Sequence, residues 1–210
     1  MRNTDRLDYL YEGRKKVSFF FLLFVIMAGV IAGTVLVCVK SGWDGLRLIY
    51  VNQNLYKPYN LSLAAVFARS ALPICAMLLV MFISGFCAFG QPIQMFFTAY
   101  RGFAVGVSSA LTYLELGIKG FPAVLIMILP FAAVSSLIVI IGSREAMSFS
   151  GCFADFAFGR KTNEICRPDV RLYGIKFIIL IAAALISAAA DSVITYFLFS
   201  ILPVSYTHLR

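Results

Sequence analysis

Two charged side chains stand inside stretches of sequence that are otherwise apolar. Arg101 interrupts the run FFTAYRGFAVGVSSALTYL, and Asp191 interrupts a second run near the C-terminus. A guanidinium keeps its proton at any useful pH, and a charge at the centre of a membrane helix costs about 2.5–3.5 kcal/mol on insertion scales. Three interpretations stay open. Arg101 could face inward and meet Asp191 or a carbonyl freed by Pro130, both charges could reach an interface or a crevice, or they could line a path for protons or a solute.

Other residues that could perform chemistry are sparse. No CxxC motif occurs, and His208 is the only histidine, so no metal site or cofactor is predicted. The cysteines are predicted to be free thiols packed as small apolar groups: Cys38, Cys75, Cys87, Cys152 and Cys166. The sequence contains no nucleophile elbow, phosphate-binding loop, HExxH motif, paired membrane aspartates or histidine–serine arrangement. We therefore predict no catalytic residue and no enzyme activity.

The composition indicates a membrane protein. Of the 210 residues, 61% are hydrophobic and only 13% are charged, whereas soluble domains have about 45–50% and about 25%. The apolar residues also fall in long blocks. We predict an all-α, polytopic transmembrane helical bundle whose first partner is the lipid bilayer. The formal net charge of +8 is then better explained by loops and anionic lipid than by nucleic acid, which we exclude as a partner.

About five transmembrane helices are predicted within a membrane domain spanning residues 17–202. They cover residues 17–39, 71–89, 92–114, 120–141 and 177–202, after a polar N-terminal segment at 1–16. The first is too long for the apolar part of a signal peptide, so we expect it to be retained. The aromatic and basic loop after it could lie at the interface or in solvent. The tail at 203–210 contains SYTHLR, which resembles a translated sequencing adapter, so we expect a foreign origin and exclude it from functional reasoning.

The distribution of basic residues predicts the orientation of the chain. Five precede the first helix and six lie between the fourth and fifth, whereas four lie between the first and second, joined on that side by Lys119 and Arg210. Cytoplasmic loops are enriched in lysine and arginine. The N-terminus is therefore predicted to be cytoplasmic.

Glycine and proline mark predicted packing faces and turns. Gly29-x-x-x-Gly33 and Gly102-x-x-x-Gly106 are small-residue faces that allow close approach of another helix, from this chain or from a second copy. Pro92 suits the first turn of a helix, so the second and third helices should form a tight antiparallel hairpin. Pro130 should kink the middle of the fourth helix.

The segment from the second to the fourth helix resembles the stage II sporulation protein M family. The resemblance rests on glycine and proline punctuation within about fifty residues. The matching positions are Gly90 and Pro92 at the turn, Arg101-Gly102-Phe103 with Gly106 in the third helix, Gly117 with Lys119-Gly120 in the following loop, and Pro130. One departure is Phe131-Ala132, where many members carry a polar pair.

This resemblance implies a non-catalytic membrane scaffold for spore formation. Members in endospore formers anchor two peptidoglycan-degrading proteins, sporulation proteins D and P, at the septal membrane during engulfment. We therefore expect membrane-associated wall hydrolases as partners. The alternative from the residues alone is a transporter or permease subunit that moves a small solute or ion past Arg101 and Asp191.

Overall fold

Five long helices account for nearly all of the chain that the computed structural model describes, namely residues 2–39, 63–87, 89–117, 124–157 and 170–201. The helices are α1 (Arg2–Val39), α2 (Leu63–Gly85), α3 (Gly90–Leu116), α4 (Leu129–Ala157) and α5 (Val170–Ile201), and a π-helical turn at Val124–Ile128 precedes α4. No strand occurs within these described residues. The predicted all-α helical bundle is confirmed.

Among the described residues, four segments are long and apolar enough to cross a membrane. They are Ser18–Val39 in α1, Leu63–Gly85 in α2, Leu129–Ala154 in α4 and Val170–Thr195 in α5. The 27 residues of α3 span about 40 Å, which also exceeds the hydrocarbon core of about 30 Å. α3 is less apolar than these four segments because one of its faces is built from buried polar side chains, and it packs against α1, α2 and α4.

Apolar side chains both fill the bundle and cover its outside. The largest core cluster joins α2, α4 and α5 through residues such as Leu78, Val139 and Phe177. Facing outward are large side chains such as Phe24 and Ile178, which are 71% and 67% exposed. An apolar exterior of this extent marks a surface that contacts other molecules or lipid. Together with the four long apolar helices, it makes the chain a multi-pass membrane protein.

The helices are longer than the hydropathy blocks predicted. α2 begins at Leu63 rather than 71 and ends at Gly85, and α4 continues to Ala157 rather than 141. The extension of α4, and the start of α5 at Val170 rather than 177, take in residues predicted to form a polar loop. The structure does not describe the predicted interfacial loop, except for the part that forms the first turns of α2. The predicted adapter tail also lies outside the described residues.

Ion pairing explains why charged residues continue α4 and α5. Glu145 of α4 lies 3.0 Å from a guanidinium nitrogen of Arg144 and 2.5 Å from Nζ of Lys176 of α5. Placing Arg144 and Lys176 in a loop was therefore wrong. Opposite charges that pair offset the free-energy cost of burying each other. A helix can therefore continue through charged residues even where the hydropathy of the sequence falls.

Proline acts at the beginning of α4 rather than in its middle. Pro130 is the second residue of α4, and only Leu129 separates it from the π-helical turn Val124–Ile128. A proline cannot close the usual hydrogen bond to the fourth preceding carbonyl, and its ring crowds that carbonyl. The irregular turn lies where that hydrogen bond is missing, so the predicted mid-helix kink at Pro130 is corrected to a helix start.

The cysteines are not all free thiols. Cys38, Cys75 and Cys87 are free, as predicted. Cys152, near the C-terminal end of α4, is disulfide-bonded. That part of the prediction was wrong, because the composition favoured small apolar packing and gave no information on which sulfur atoms the fold brings together. The fifth cysteine, Cys166, lies outside the described residues.

Candidate functional site: the polar face of α3

One face of α3 is polar and buried. Gln94, Thr98 and Thr112 are fully buried, Ser108 is 1% exposed, and Arg101 is 8% exposed. Their spacing of three, four and seven residues places them on one side of an α-helix. Inside an apolar bundle every such group needs a partner, because no water is at hand to satisfy it.

The first two turns of this face join α3 to α2 and α4. Gln94 donates from Nε2 to the carbonyl oxygen of Met81 at 3.0 Å and to Oγ of Ser84 at 2.6 Å. One turn later, Thr98 Oγ1 and Ser143 Oγ of α4 lie 2.7 Å apart. The polar side chains therefore link three helices at neighbouring levels of the bundle.

Arg101 points into the bundle toward α4. Its guanidinium donates to Oγ of Ser135, which in turn donates to the carbonyl oxygen of Phe131 at 2.6 Å. The guanidinium carbon also lies 5.9 Å from the centre of the Phe131 ring, a distance at which a cation interacts with an aromatic face. Phe131, the position where the chain departs from the resembled family, thus contributes directly to the surroundings of Arg101.

Asp191 lies near Arg101 but makes its close contact elsewhere. Its carboxylate accepts a hydrogen bond of 2.8 Å from Oγ of Ser70 on α2. The two charges are near enough to interact through space. In the part of the chain that the structure describes, ion pairs within 4.0 Å are formed by Glu145 and not by Asp191. The structure therefore brings Arg101 and Asp191 into the same bundle without a direct ion pair.

A second face of α3 is made of glycine and packs on α1. A Cβ atom on Gly102 would overlap the carbonyl oxygen of Ile26, and one on Gly106 would overlap that of Val30. The same holds in reverse, because Cβ atoms on Gly29 and Gly33 would overlap the carbonyl oxygens of Ala99 and Phe103. Contacts advance along both helices together, so α1 and α3 run parallel. The two predicted small-residue faces therefore pack on each other.

The turn residues of the predicted motif are placed at the ends of α3. Gly90 is its first residue and has no room for a Cβ beside the carbonyl oxygen of Ser84. Pro92 lies in the first turn, as predicted, and the short connection from Gly85 forms the tight hairpin of α2 and α3. Gly117 ends α3 with φ of 58°, a conformation that glycine adopts without strain. Lys119 and Gly120 lie outside the described residues.

Two buried atoms on the polar face have no hydrogen-bond partner among the described residues. They are Oε1 of Gln94, an acceptor, and Nε of Arg101, a donor. Leaving such an atom unsatisfied costs about 1–3 kcal/mol, and native proteins commonly use internal water to satisfy it. The face is thus built of interhelical hydrogen bonds with two places that suit water.

Several residues of this site were missed from the sequence. Arg101 was singled out because of its charge, but Gln94, Thr98 and Ser143 were not. Ser135 was expected to pack against a neighbouring helix, but not to accept a hydrogen bond from Arg101. The repeat of polar residues at positions 94, 98, 101, 108 and 112 is visible in the sequence. Their partners on α4 could not be found in this way, because single serines in an apolar helix carry no periodic signal.

Comparisons of the chain with family models, with curated proteins and with solved structures gave no match. Among the described residues, no group of three or more His, Cys, Asp or Glu side chains is placed to hold a metal ion. The function has to be argued from the site itself.

Proposed function

We propose that the chain is a non-catalytic membrane scaffold, of the type of stage II sporulation protein M, that anchors peptidoglycan-degrading partners at a septal membrane. The observation that carries this proposal is the use made of its motif residues. Gly102 and Gly106 allow backbone contact with α1, Gly90 makes the α2–α3 turn, and Arg101 holds Ser135 of α4. Residues used in this way fix the arrangement of helices and leave partner recognition to other surfaces.

Two further features support a scaffold rather than a solute path. The polar side chains of α3 between Gln94 and Arg101 hydrogen-bond to neighbouring helices. Asp191 is likewise engaged by Ser70. In a scaffold such bonds stabilise one arrangement, and changing them lowers the amount of folded protein.

A transporter or permease subunit is the second candidate, and one observation favours it. Arg101 and Asp191 lie inside the bundle without a direct ion pair, and Arg101 Nε and Gln94 Oε1 find no hydrogen-bond partner in the part of the chain that the structure describes. Charged groups inside membrane helices often mark ion or proton routes. Under this proposal the two charges would contact the transported species during passage.

Substitution of Arg101 distinguishes the two candidates. For a scaffold, Arg101→Ala lowers the level of the protein or its assembly with partners, and Arg101→Lys recovers part of both. For a transporter, Arg101→Ala accumulates normally in the membrane while flux is lost. Normal accumulation together with normal partner recovery in Arg101→Ala would remove the scaffold role argued for this residue.

Purification of the tagged full chain from its own membrane tests the partners. The scaffold proposal expects wall hydrolases to co-purify with the wild-type chain, in amounts that fall for Gly102→Leu. Recovery of a nucleotide-binding ATPase in place of wall hydrolases would support the permease instead. The proposed location is a bacterial cell membrane with the N-terminus in the cytoplasm.

A further inference from the structure

A cluster of three charges joins α4 and α5 near the end of the bundle where α5 begins. Glu145 accepts from Arg144 at 3.0 Å and from Lys176 at 2.5 Å, each through a different carboxylate oxygen. The glutamate is 16% exposed, whereas Arg144 is 30% and Lys176 is 41% exposed. Two partly exposed cations thus share one largely buried carboxylate, and within the described part of the chain no second carboxylate forms an ion pair with them.

The cluster lies just below the lipid headgroups, at a depth from which long basic side chains can reach them. The apolar segment Val170–Thr195 contains 26 residues and is about 39 Å long, so it extends beyond the hydrocarbon core of about 30 Å by some 4–5 Å at each end. Lys176 lies six residues from its start, about 9 Å along the axis. The backbone of Lys176 therefore lies only about 5 Å inside the hydrocarbon boundary, and its long side chain can reach the interface.

Arg144 is held on the other side of the cluster. Ile140 and Met147, one turn away in either direction on α4, pack against α1. Arg144 Nε is buried and has no hydrogen-bond partner among the described residues. The guanidinium donates to Glu145 through one terminal nitrogen, Nη2. The position of both cations is therefore fixed by packing and by Glu145, while donors are left for a further acceptor.

We propose that Arg144 and Lys176 bind the phosphate of an anionic phospholipid, with Glu145 holding the two cations apart. A phosphate oxyanion carries negative charge and accepts hydrogen bonds from both a guanidinium and an ammonium. Basic residues between membrane helices at the interface are suited to such headgroups. This site is independent of the scaffold and transporter proposals, because neither Arg101 nor the glycine faces take part in it.

Native mass spectrometry of the full chain in detergent, with added phosphatidylglycerol or phosphatidylcholine, tests the site. We expect more phosphatidylglycerol than phosphatidylcholine to be retained, and a rise of the thermal unfolding midpoint with phosphatidylglycerol alone. Lys176→Gln and Arg144→Gln should each weaken retention about fivefold, the effect of one basic contact with an anionic surface. Glu145→Gln keeps a hydrogen-bond acceptor beside the cations and removes the negative charge that competes with the phosphate, so it should retain the lipid at least as well as the wild type.

Arg69→Gln is the matched control, because Arg69 lies near the start of α2. The α2–α3 hairpin and the charge cluster lie at the other end of the bundle. It should retain phosphatidylglycerol like the wild type. Equal retention of both lipids by the wild-type chain would overturn the proposal without the need for any variant. So would full retention by Lys176→Gln and Arg144→Gln, or the same thermal shift with inorganic phosphate in place of lipid.

Discussion

Gly102 of α3 lies directly against the backbone of Ile26 of α1, so that even a methyl group at Gly102 would overlap the Ile26 carbonyl oxygen. The contact repeats one turn later, where Gly106 lies against Val30. At such a distance a Cα–H group can face a carbonyl oxygen of the opposite helix, a geometry that recurs at helix–helix interfaces. The parallel α1–α3 pair is therefore held by backbone contact, and every side chain added to it must separate the helices.

The first prediction is that Gly102→Ala destabilises the bundle by about 1–3 kcal/mol, the usual cost of overpacking. The unfolding of the purified chain in detergent measures it. Gly174→Ala is the matched control, because a Cβ at Gly174 in α5 meets nothing within 4 Å, and alanine is favoured over glycine in a helix by about 0.5–1 kcal/mol. A wild-type unfolding curve for Gly102→Ala would contradict the close α1–α3 contact.

Hydrogen bonding of Arg101 gives a second prediction. Ser135→Ala removes the hydroxyl that accepts from the guanidinium and should cost about 1–2 kcal/mol, between the value for hydrogen bonds to charged groups and that for membrane helices. Ser136→Ala should change stability by less than about 0.5 kcal/mol, because Ser136 makes no side-chain hydrogen bond to the described part of the chain. Equal effects of the two substitutions would mean that Arg101 does not depend on Ser135.

A third prediction concerns Gly85 and Tyr173. Tyr173 of α5 donates its hydroxyl to the carbonyl oxygen of Phe82 at 3.1 Å and stacks on Phe149 with ring centres 4.2 Å apart. A Cβ on Gly85 would overlap that hydroxyl. Gly85→Ala should therefore destabilise the chain, and Tyr173→Phe should cost about 0.5–1.5 kcal/mol through its lost hydrogen bond.

The two substitutions should not be additive. Tyr173→Phe removes the oxygen atom that a methyl group at Gly85 would strike, so the double variant should lose less stability than the two single variants together. A double-mutant cycle measures this coupling, which reaches about 0.5–3 kcal/mol for residues in contact. If the free-energy changes of the two single variants simply add in the double variant, Gly85 and Tyr173 are not in contact.

The features that sequence reasoning could predict share a simple cause. The apolar blocks and the glycine faces were predictable, because a membrane helix must satisfy its backbone within itself and packs closely through small residues. An inward Arg101 was one of three interpretations that stayed open, and the cost of a charge in lipid favours it. Pro92 in the first turn of α3 followed from its missing N–H. Each of these depends on one helix and its surroundings alone.

What the sequence did not reveal depends on pairs of helices. The glycine contacts between α1 and α3 require Gly29 to lie against Ala99. Nothing in the sequence of one helix identifies the other helix as its packing partner. The length of α4 was underestimated because Glu145 is compensated by Lys176, a residue more than thirty positions away. The polar partners of Arg101 were missed for the same reason.

Two observations indicate opposite orientations of the chain. The excess of lysine and arginine predicts that the N-terminus and the α2–α3 turn lie in the cytoplasm. Cys152 lies at that same end, since Ser150 donates to the carbonyl oxygen of Cys87 in the turn at 2.6 Å, and Cys152 is disulfide-bonded. Disulfides persist in oxidising compartments and are rare in the cytosol. The side of the membrane on which this end lies therefore also decides the state of Cys152 in the cell.

The last prediction uses cysteines already present. Cys38 ends α1 and Cys87 lies in the α2–α3 turn at the other end of the bundle, and both are free and exposed. With the N-terminus in the cytoplasm, a membrane-impermeant maleimide added to intact cells labels Cys38 and spares Cys87, whereas Cys38→Ser removes the signal. Cys152 should then react with a permeant maleimide, because cytosolic reductants keep such thiols reduced. Labelling of Cys87 in intact cells, with Cys152 unreactive until a reductant is added, would reverse the orientation and establish the disulfide as a structural bond of the outer face.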